Sequence, residues 1–390
     1  MYNNTVNNLK LIFKLILFTL TPTFLIWIPF AMRLESFWNI PLPTSGMATI
    51  IQNYDGPHYI VVAKTFYNLE QIASQFSFPL PLEYYAAHFP LFPALVRLFS
   101  FQPLGYIYSM LFVTVSTSLL TLYFFHKFIS QYTNKENALW LTFVFAIFPA
   151  RWLIVRSVGS PEPLFIASLI AAVYYFQNQK YLKSGIWGMV AQLTKSPGII
   201  LFAALLLSFL YTQFKKIATK PFSKWLGLIN WKALPILLIP LSLLGLFVFY
   251  KYKFGDFFAY FNSGDNIHLF FPPFQIFNYS APWVGTFWLE EVIFIYIIGA
   301  IGFVKLFNER QTTLYLFTGL FFLSTLFVSH RDLLRYSLPL VPFLVTAFRK
   351  TLIKREFKIA IAVVLIPIYL YSLVFISQNT MPISDWAPFL

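Results

Sequence analysis

The sequence predicts an all-α polytopic membrane protein, and three observations lead there: few charges, recurrent apolar runs, and a sided distribution of the charges that remain. Of 390 residues, 58% are hydrophobic, 21% aromatic and 11% charged. A soluble domain carries roughly 25% charged residues, so this chain lacks the polar surface to dissolve on its own. Cysteine is absent, which excludes disulfides, thiolate nucleophiles and cysteine metal ligands.

A helix needs about 20 apolar residues to cross the hydrocarbon core. On that scale the spans fall near 9–31, 104–125, 138–150, 163–178, 185–211, 233–250, 290–307, 313–328, 337–348 and 359–376. The first run, Leu9 to Ala31, is longer than a signal-peptide core, and no small-x-small cleavage site follows it. It reads as a retained helix.

Basic residues orient the spans. Lys10 and Lys14 place the N-terminus in the cytoplasm by the positive-inside rule. Lys180 and Lys183 precede segment 185–211, and Lys215, Lys216, Lys220 and Lys224 follow it, so both its ends belong to the cytoplasmic side. The segment is too short for two full crossings. Two short helices, up and back, resolve the conflict, with a break at Lys195-Ser196-Pro197-Gly198. Proline lacks a backbone donor and glycine frees the chain there. Such irregular backbone is tolerated at membrane depth inside protein or beside a wet cavity.

The expected topology is about 11 helical segments including a broken re-entrant hairpin, with a non-cytoplasmic C-terminus. Cytoplasmic stretches then hold 18 Lys and Arg against three acids, Glu136, Glu309 and Glu356, whereas outer stretches hold 10 against eleven. The formal charge of +14 is thus a topology signal, and no nucleic-acid partner is expected. No repeat or low-complexity linker divides the chain, so residues 1–390 read as one integral membrane domain. The outer stretches 33–103 and 251–289 are rich in aromatics and read as interfacial helices and loops.

Five constellations on the outer side could carry chemistry. In Asn53-Tyr54-Asp55-Gly56-Pro57-His58-Tyr59, Asp55 either caps the following turn or is a carboxylate held at the membrane surface, where partial desolvation makes a better base. The segment from His88 to Arg97 is an amphipathic interfacial stretch. His88 faces the site or simply bonds a loop carbonyl. Arg151 and Arg156 are interface anchors or anion ligands, and Glu162, in Gly159-Ser160-Pro161-Glu162-Pro163, complements a helix dipole or binds substrate. Lys195 at the broken hairpin is costly at membrane depth, from about 2.5 kcal/mol upward, and reads as functional. Finally, His330-Arg331-Asp332-Leu333-Leu334-Arg335-Tyr336 offers either a local ion pair or a cationic site. Individually each is weak; their common sidedness is the stronger signal.

In order along the chain, these motifs resemble the GPI mannosyltransferase II family and its bacterial relatives in the GT-C superfamily. Tyr54-Asp55-Gly56 and Phe89-Pro90-Leu91-Phe92-Pro93 resemble the family's opening loop. Ser160-Pro161-Glu162-Pro163-Leu164-Phe165 is similar to its Ser-Glu-x-Leu-Phe element. Leu193-Thr194-Lys195-Ser196-Pro197-Gly198 is similar to its Thr-Arg-Pro-x-Gly hairpin, and Arg335-Tyr336 with Pro339 to its Arg-Tyr-x-x-x-Pro element. Tyr54 replaces the family's usual Trp, and Lys195 replaces an arginine, which keeps the cation but not its bidentate geometry.

The resemblance implies a GT-C-like bundle and an inverting transferase, most naturally of mannose. The donor would be a polyprenyl- or dolichyl-phosphate-linked sugar, and the acceptor a hydroxyl on a glycan, lipid or protein at the non-cytoplasmic face, the plasma membrane if bacterial. Asp55 is the expected base. Lys195, Arg335, Arg156, Arg151 and His330 are expected at the donor phosphate, and Glu162, Tyr54, His58 and His88 at the sugar or acceptor. No Asp-x-Asp pair follows Asp55, so no metal or other cofactor is expected, with a divalent cation left open. The rival readings are a transporter or flippase of lipid-linked saccharides, which would favour internal repeats, a ligase on the same scaffold, and a non-catalytic subunit.

Overall fold

The computed structural model describes residues 2–101, 103–218, 220–221, 227, 230–264, 269–278 and 289–390. Lys224 and part of the stretch 251–289, expected on the outer side, namely 265–268 and 279–288, lie outside them. The chain packs as two compact units: Met1–Ala167, Phe247–Asn266 and Lys350–Leu390 form the first, and Ser168–Leu246 with Ile267–Arg349 the second. Among the described residues, five helices are long and apolar enough to cross a membrane: Asn8–Ala31, Gly105–Ile129, Gly198–Lys216, Trp231–Phe254 and Arg355–Gln378. The fold is all-α; among the described residues the one named strand pair is a hairpin of Ser36–Phe37 with Ile40–Pro41.

The first unit opens with α1 (Tyr2–Ala31), which contains Pro22 and Pro29. The stretch 33–103 then carries α2 (Met47–Ile51), α3 (Gly56–Thr65), α4 (Leu69–Gln75), a 3-10 turn at Leu82–Ala87 and α5 (Leu91–Phe99). Helices α6 (Gly105–Ile129) and α7 (Lys135–Ile147) follow. Asn134 starts α7 by accepting the Asn137 N–H at 2.9 Å, which satisfies one of the orphan donors of a helix start. The span expected over 138–150 stops at Ile147, where Phe148-Pro149 breaks it, and a short α8 (Ala150–Val155) takes over. Proline cannot supply the donor that would continue the ladder.

Polar residues in α6 settle their hydroxyls on their own helix. Thr114, Thr117, Ser118 and Thr121 each donate to the carbonyl four residues back, at 2.7–2.9 Å, so none is orphaned in apolar surroundings.

Helix α9 (Glu162–Gln177) leads into the second unit. There the break falls as expected, with α10 (Tyr181–Thr194) and α11 (Gly198–Ile217) separated at Lys195-Ser196-Pro197, but the helices run beyond 185–211 and α11 is not short: its 20 residues are span-length. Gly198 sits hard on α10, since a Cβ on it would lie 2.5 Å from the Gln192 Cα and 2.7 Å from the Gln192 nitrogen. Only a residue without a side chain closes the hairpin at that point. Beyond it come α12 (Leu238–Phe254), α13 (Leu289–Asn308) and α14 (Thr312–Leu326). The short span expected over 337–348 is α15 (Leu333–Ser337), a 3-10 turn and α16 (Val341–Ala347). Arg349 closes the unit with a 2.9 Å ion pair to Glu309. Helix α17 (Arg355–Gln378) returns to the first unit.

Candidate active site

The Asp55 motif is a sharp turn between α2 and α3. Asn53 is fully buried, and its Nδ2 donates to the carbonyls of Thr49 (2.8 Å) and Ile376 (2.9 Å). Tyr54 follows with φ +50°, and Asp55 occupies the position that precedes α3. The Asp55 carbonyl accepts the Tyr59 N–H at 3.0 Å, but its side chain makes no capping hydrogen bond. The carboxylate is half-buried and is not consumed by the helix start.

Gly56 is placed by contact. A Cβ there would fall 2.7 Å from the Ile51 carbonyl oxygen and 3.5 Å from the Gly159 carbonyl oxygen. The Asp-Gly turn and the Gly159-Ser160-Pro161-Glu162 loop therefore meet backbone to backbone. That second loop is seated on α6: the Ser160 N–H donates to Thr114 Oγ1 at 3.2 Å, and Thr121 Oγ1 donates to the Pro163 carbonyl at 2.8 Å. Trp27 of α1 donates to the Ser157 carbonyl at 2.6 Å. Glu162 is buried, with Ser160 Oγ bonded to its Oε2.

Arg151, at 8% exposure, joins the same neighbourhood. Its guanidinium carbon lies 3.6 Å from the Phe375 ring centroid, and its Nη1 is 3.3 Å from the Tyr54 hydroxyl. Arg156 goes elsewhere. It is fully buried and donates to three main-chain carbonyls: Ala146, Phe18 at 3.0 Å, and Thr19. Two of these acceptors, Phe18 and Ala146, are explained by prolines. Pro22 has no N–H for the Phe18 carbonyl, and the end of α7 before Pro149 leaves the Ala146 carbonyl outside a helical ladder. Prolines in spanning helices are accommodated when neighbours re-satisfy the freed groups, and Arg156 does so here.

His58 is also inside. It is fully buried, neither ring nitrogen has a hydrogen-bond partner, and the rings of Phe78, Tyr84, Tyr85 and His88 surround it at centroid distances of 4.7–5.6 Å. Burial foremost, then the neighbouring His88, lowers its pKa from 6.5 to about 3, against a small opposing pull from Asp55. The imidazole is neutral at physiological pH. The His88 ring also packs edge-on to Tyr59 at 4.9 Å, while its main-chain carbonyl accepts from the Tyr67 hydroxyl. Burial holds that phenol well above its ordinary pKa.

The remaining cations belong to the second unit. Lys195 is half-buried at the hairpin break. His330 Nδ1 accepts the Asp332 N–H at 2.9 Å, and its ring lies 5.1 Å from Tyr336. Leu333, Val328, Ile276 and Val292 form a buried cluster on which Tyr336 packs, which steadies the helix carrying Arg335. Among the described residues, no group of three or more His, Asp or Glu is placed to hold a metal ion.

Two contributors escaped the sequence reading. Phe375 and Asn53 carry no chemistry themselves, and their partners lie too far along the chain for any local pattern to mark them.

No protein-family profile and no curated protein matches this sequence. The fold is similar to that in the crystal structure of ArnT from Cupriavidus metallidurans bound to undecaprenyl phosphate, with a TM-score of 0.57 at 13% identity over 89% of this chain. This chain spans 62% of the length of that structure. At that level of identity the likeness shows the fold alone, a polytopic all-α architecture.

Proposed function

We propose that this integral membrane protein is a GT-C glycosyltransferase that moves a sugar from a polyprenyl-phosphate donor to an acceptor hydroxyl at the non-cytoplasmic face. The observation that carries the reading is the Gly56–Gly159 contact. On a scaffold of this fold, it brings an Asp-Gly turn whose carboxylate is not spent on capping against the loop bearing buried Glu162. The printed ligand of the ArnT structure, undecaprenyl phosphate, supports a lipid phosphate as the donor's carrier. Mannose as the sugar rests on the motif resemblance.

In this mechanism Asp55 takes the proton of the acceptor hydroxyl. The acceptor oxygen attacks the anomeric carbon, and the bond from that carbon to the phosphate oxygen breaks. The electron pair leaves with polyprenyl phosphate, and a single in-line displacement inverts the anomeric centre. On the motif resemblance alone, Lys195 and Arg335 are the cations proposed for a leaving phosphate, whose growing charge a cation stabilises. Arg151 holds Tyr54 beside the base, Glu162 orients the sugar or acceptor, and His330 aligns the segment that carries Arg335. Arg156 and His58 support the frame and do not touch substrate.

The test supplies labelled polyprenyl-phosphate mannose, with other polyprenyl-phosphate sugars in parallel, to membranes holding wild type or Asp55→Asn. Transfer by wild type and a loss of at least about 100-fold in a folded Asp55→Asn protein are expected. Full transfer by Asp55→Asn removes it as the base. Movement of intact lipid-linked saccharide across vesicles without transfer identifies a flippase instead. Sidedness is checked in the cysteine-free chain by Ser74→Cys and Glu136→Cys, both at exposed positions, which should label from opposite faces with an impermeant thiol reagent.

A further inference from the structure

The turn that presents Asp55 is gripped from both sides by one distant segment, residues 376–389. Before Asp55, Asn53 donates to the Ile376 carbonyl at 2.9 Å and forms an antiparallel bridge with Thr380, while the Met381 N–H donates to the Gln52 carbonyl at 2.7 Å. After it, at the last turn of α3, Lys64 Nζ donates to the Pro388 carbonyl at 2.6 Å.

Between these anchors runs a train of rings. Phe389 is 3% exposed and lies 5.2 Å from Phe76 and 6.2 Å from Phe78. Phe78 meets His58 edge-on at 4.7 Å, and His58 stands on the first turn of α3, three residues after Asp55. Asp385 shapes the approach by accepting the Ala387 N–H at 2.9 Å. A cavity of about 60 Å³ lies between the two segments, lined by Gln75, Phe78, Ser384, Asp385 and Phe389 among others. Phe389 lines this cavity and packs on Phe76 and Phe78 beside it.

A bland reading is that the segment only tidies away a chain end. Its anchors argue for more. They fall immediately before α3, on the first turn of α3 through Phe78 and His58, and on its last turn, so the segment fixes the helix start at which a base must be held to within about 0.5 Å. We infer that residues 376–389 are a positioning strap for Asp55, with Phe389 as the positioning residue that acts through Phe78 and His58. This rests on Asp55 being the base.

The experiment uses full-length Phe389→Ala, Phe389→Tyr, and Phe389→Ala combined with a Gln52→Cys/Met381→Cys disulfide. Amide exchange over residues 56–62, donor kinetics and thermal unfolding are read in parallel. For Phe389→Ala, exchange over 56–62 rises by about tenfold or more and kcat falls between about 10- and 100-fold, with donor KM little changed and α6 exchange unaltered. Phe389→Tyr recovers both, and the disulfide recovers kcat. Unchanged exchange over 56–62 overturns the inference, as does a kcat loss that only mirrors a loss of folded protein. If wild type transfers no sugar, the role of Asp55 as base falls, while the exchange result still decides whether the strap holds the turn.

Discussion

The Arg151 guanidinium lies over the Phe375 ring, its carbon 3.6 Å from the centroid, while its Nη1 reaches the Tyr54 hydroxyl at 3.3 Å. One side chain thereby joins α8, the turn bearing Asp55 and the end of α17. A guanidinium serves here because it is planar and weakly hydrated, so it stacks on an aromatic face and keeps its donors in plane for a second partner.

Replacing that plane by a point charge isolates its contribution. Arg151→Lys should lower kcat by about tenfold even though the charge is kept, and Phe375→Leu should cost about 1 kcal/mol of stability by removing the cation–π partner. Steady-state transfer and thermal unfolding in one detergent measure the two effects. Wild-type turnover in Arg151→Lys would show that the stack is dispensable.

The two glycines at the motif contact differ in what surrounds them. A Cβ at Gly56 meets the Ile51 carbonyl, which is fixed backbone, whereas one at Gly159 meets the flexible Met110 side chain. Gly56→Ala should cost about 1–3 kcal/mol and Gly159→Ala less, with Met110→Ala recovering much of the latter. Equal losses of melting temperature in the two single variants would contradict this account.

His58 makes the segment around α3 acid-sensitive. Its folded pKa, about 3, is below the unfolded 6.5, so folding excludes a proton. The stability this gives is complete above pH 6.5 and is lost as pH falls from 6.5 toward 3. Amide exchange over 56–92 should therefore rise between pH 7 and pH 4, after correction for intrinsic rates, and His58→Phe should flatten that slope. A slope unchanged by His58→Phe assigns the acid response to another group.

At the hairpin, shape and charge can be separated. Gly198→Ala drives a Cβ into the Gln192 backbone and should destabilise the protein by about 1–3 kcal/mol. Lys195→Gln should leave unfolding nearly unchanged and lower kcat by about 100-fold, with Lys195→Arg retaining most activity. Undiminished turnover in Lys195→Gln would remove Lys195 from the donor phosphate.

The hairpin was legible because its causes are local. Proline lacks a donor and glycine frees the backbone, so Pro197-Gly198 marks the break within four residues. The order of helices was legible for the same reason, since each apolar run reports its own burial. Arg156 marks the limit. Its position beside Glu162 suggests a shared site, but its acceptors are carbonyls of Phe18, Thr19 and Ala146. No local pattern matches an arginine to a carbonyl that a remote proline has freed. His58 likewise reads as a polar motif residue until Phe78, Tyr84 and Tyr85 are seen to close around it.

The bond from Asn53 to the Ile376 carbonyl joins residues 323 apart in sequence, and this has a consequence for biosynthesis. Contacts of such separation form late, after the intervening chain has been ordered. The stretch 33–103 is made early, but the turn bearing Asp55 has no fixed seat until the end of α17 is in place. A chain cut before Ile376 should therefore leave the turn around Asn53 and Asp55 unseated, however completely the preceding helices have packed.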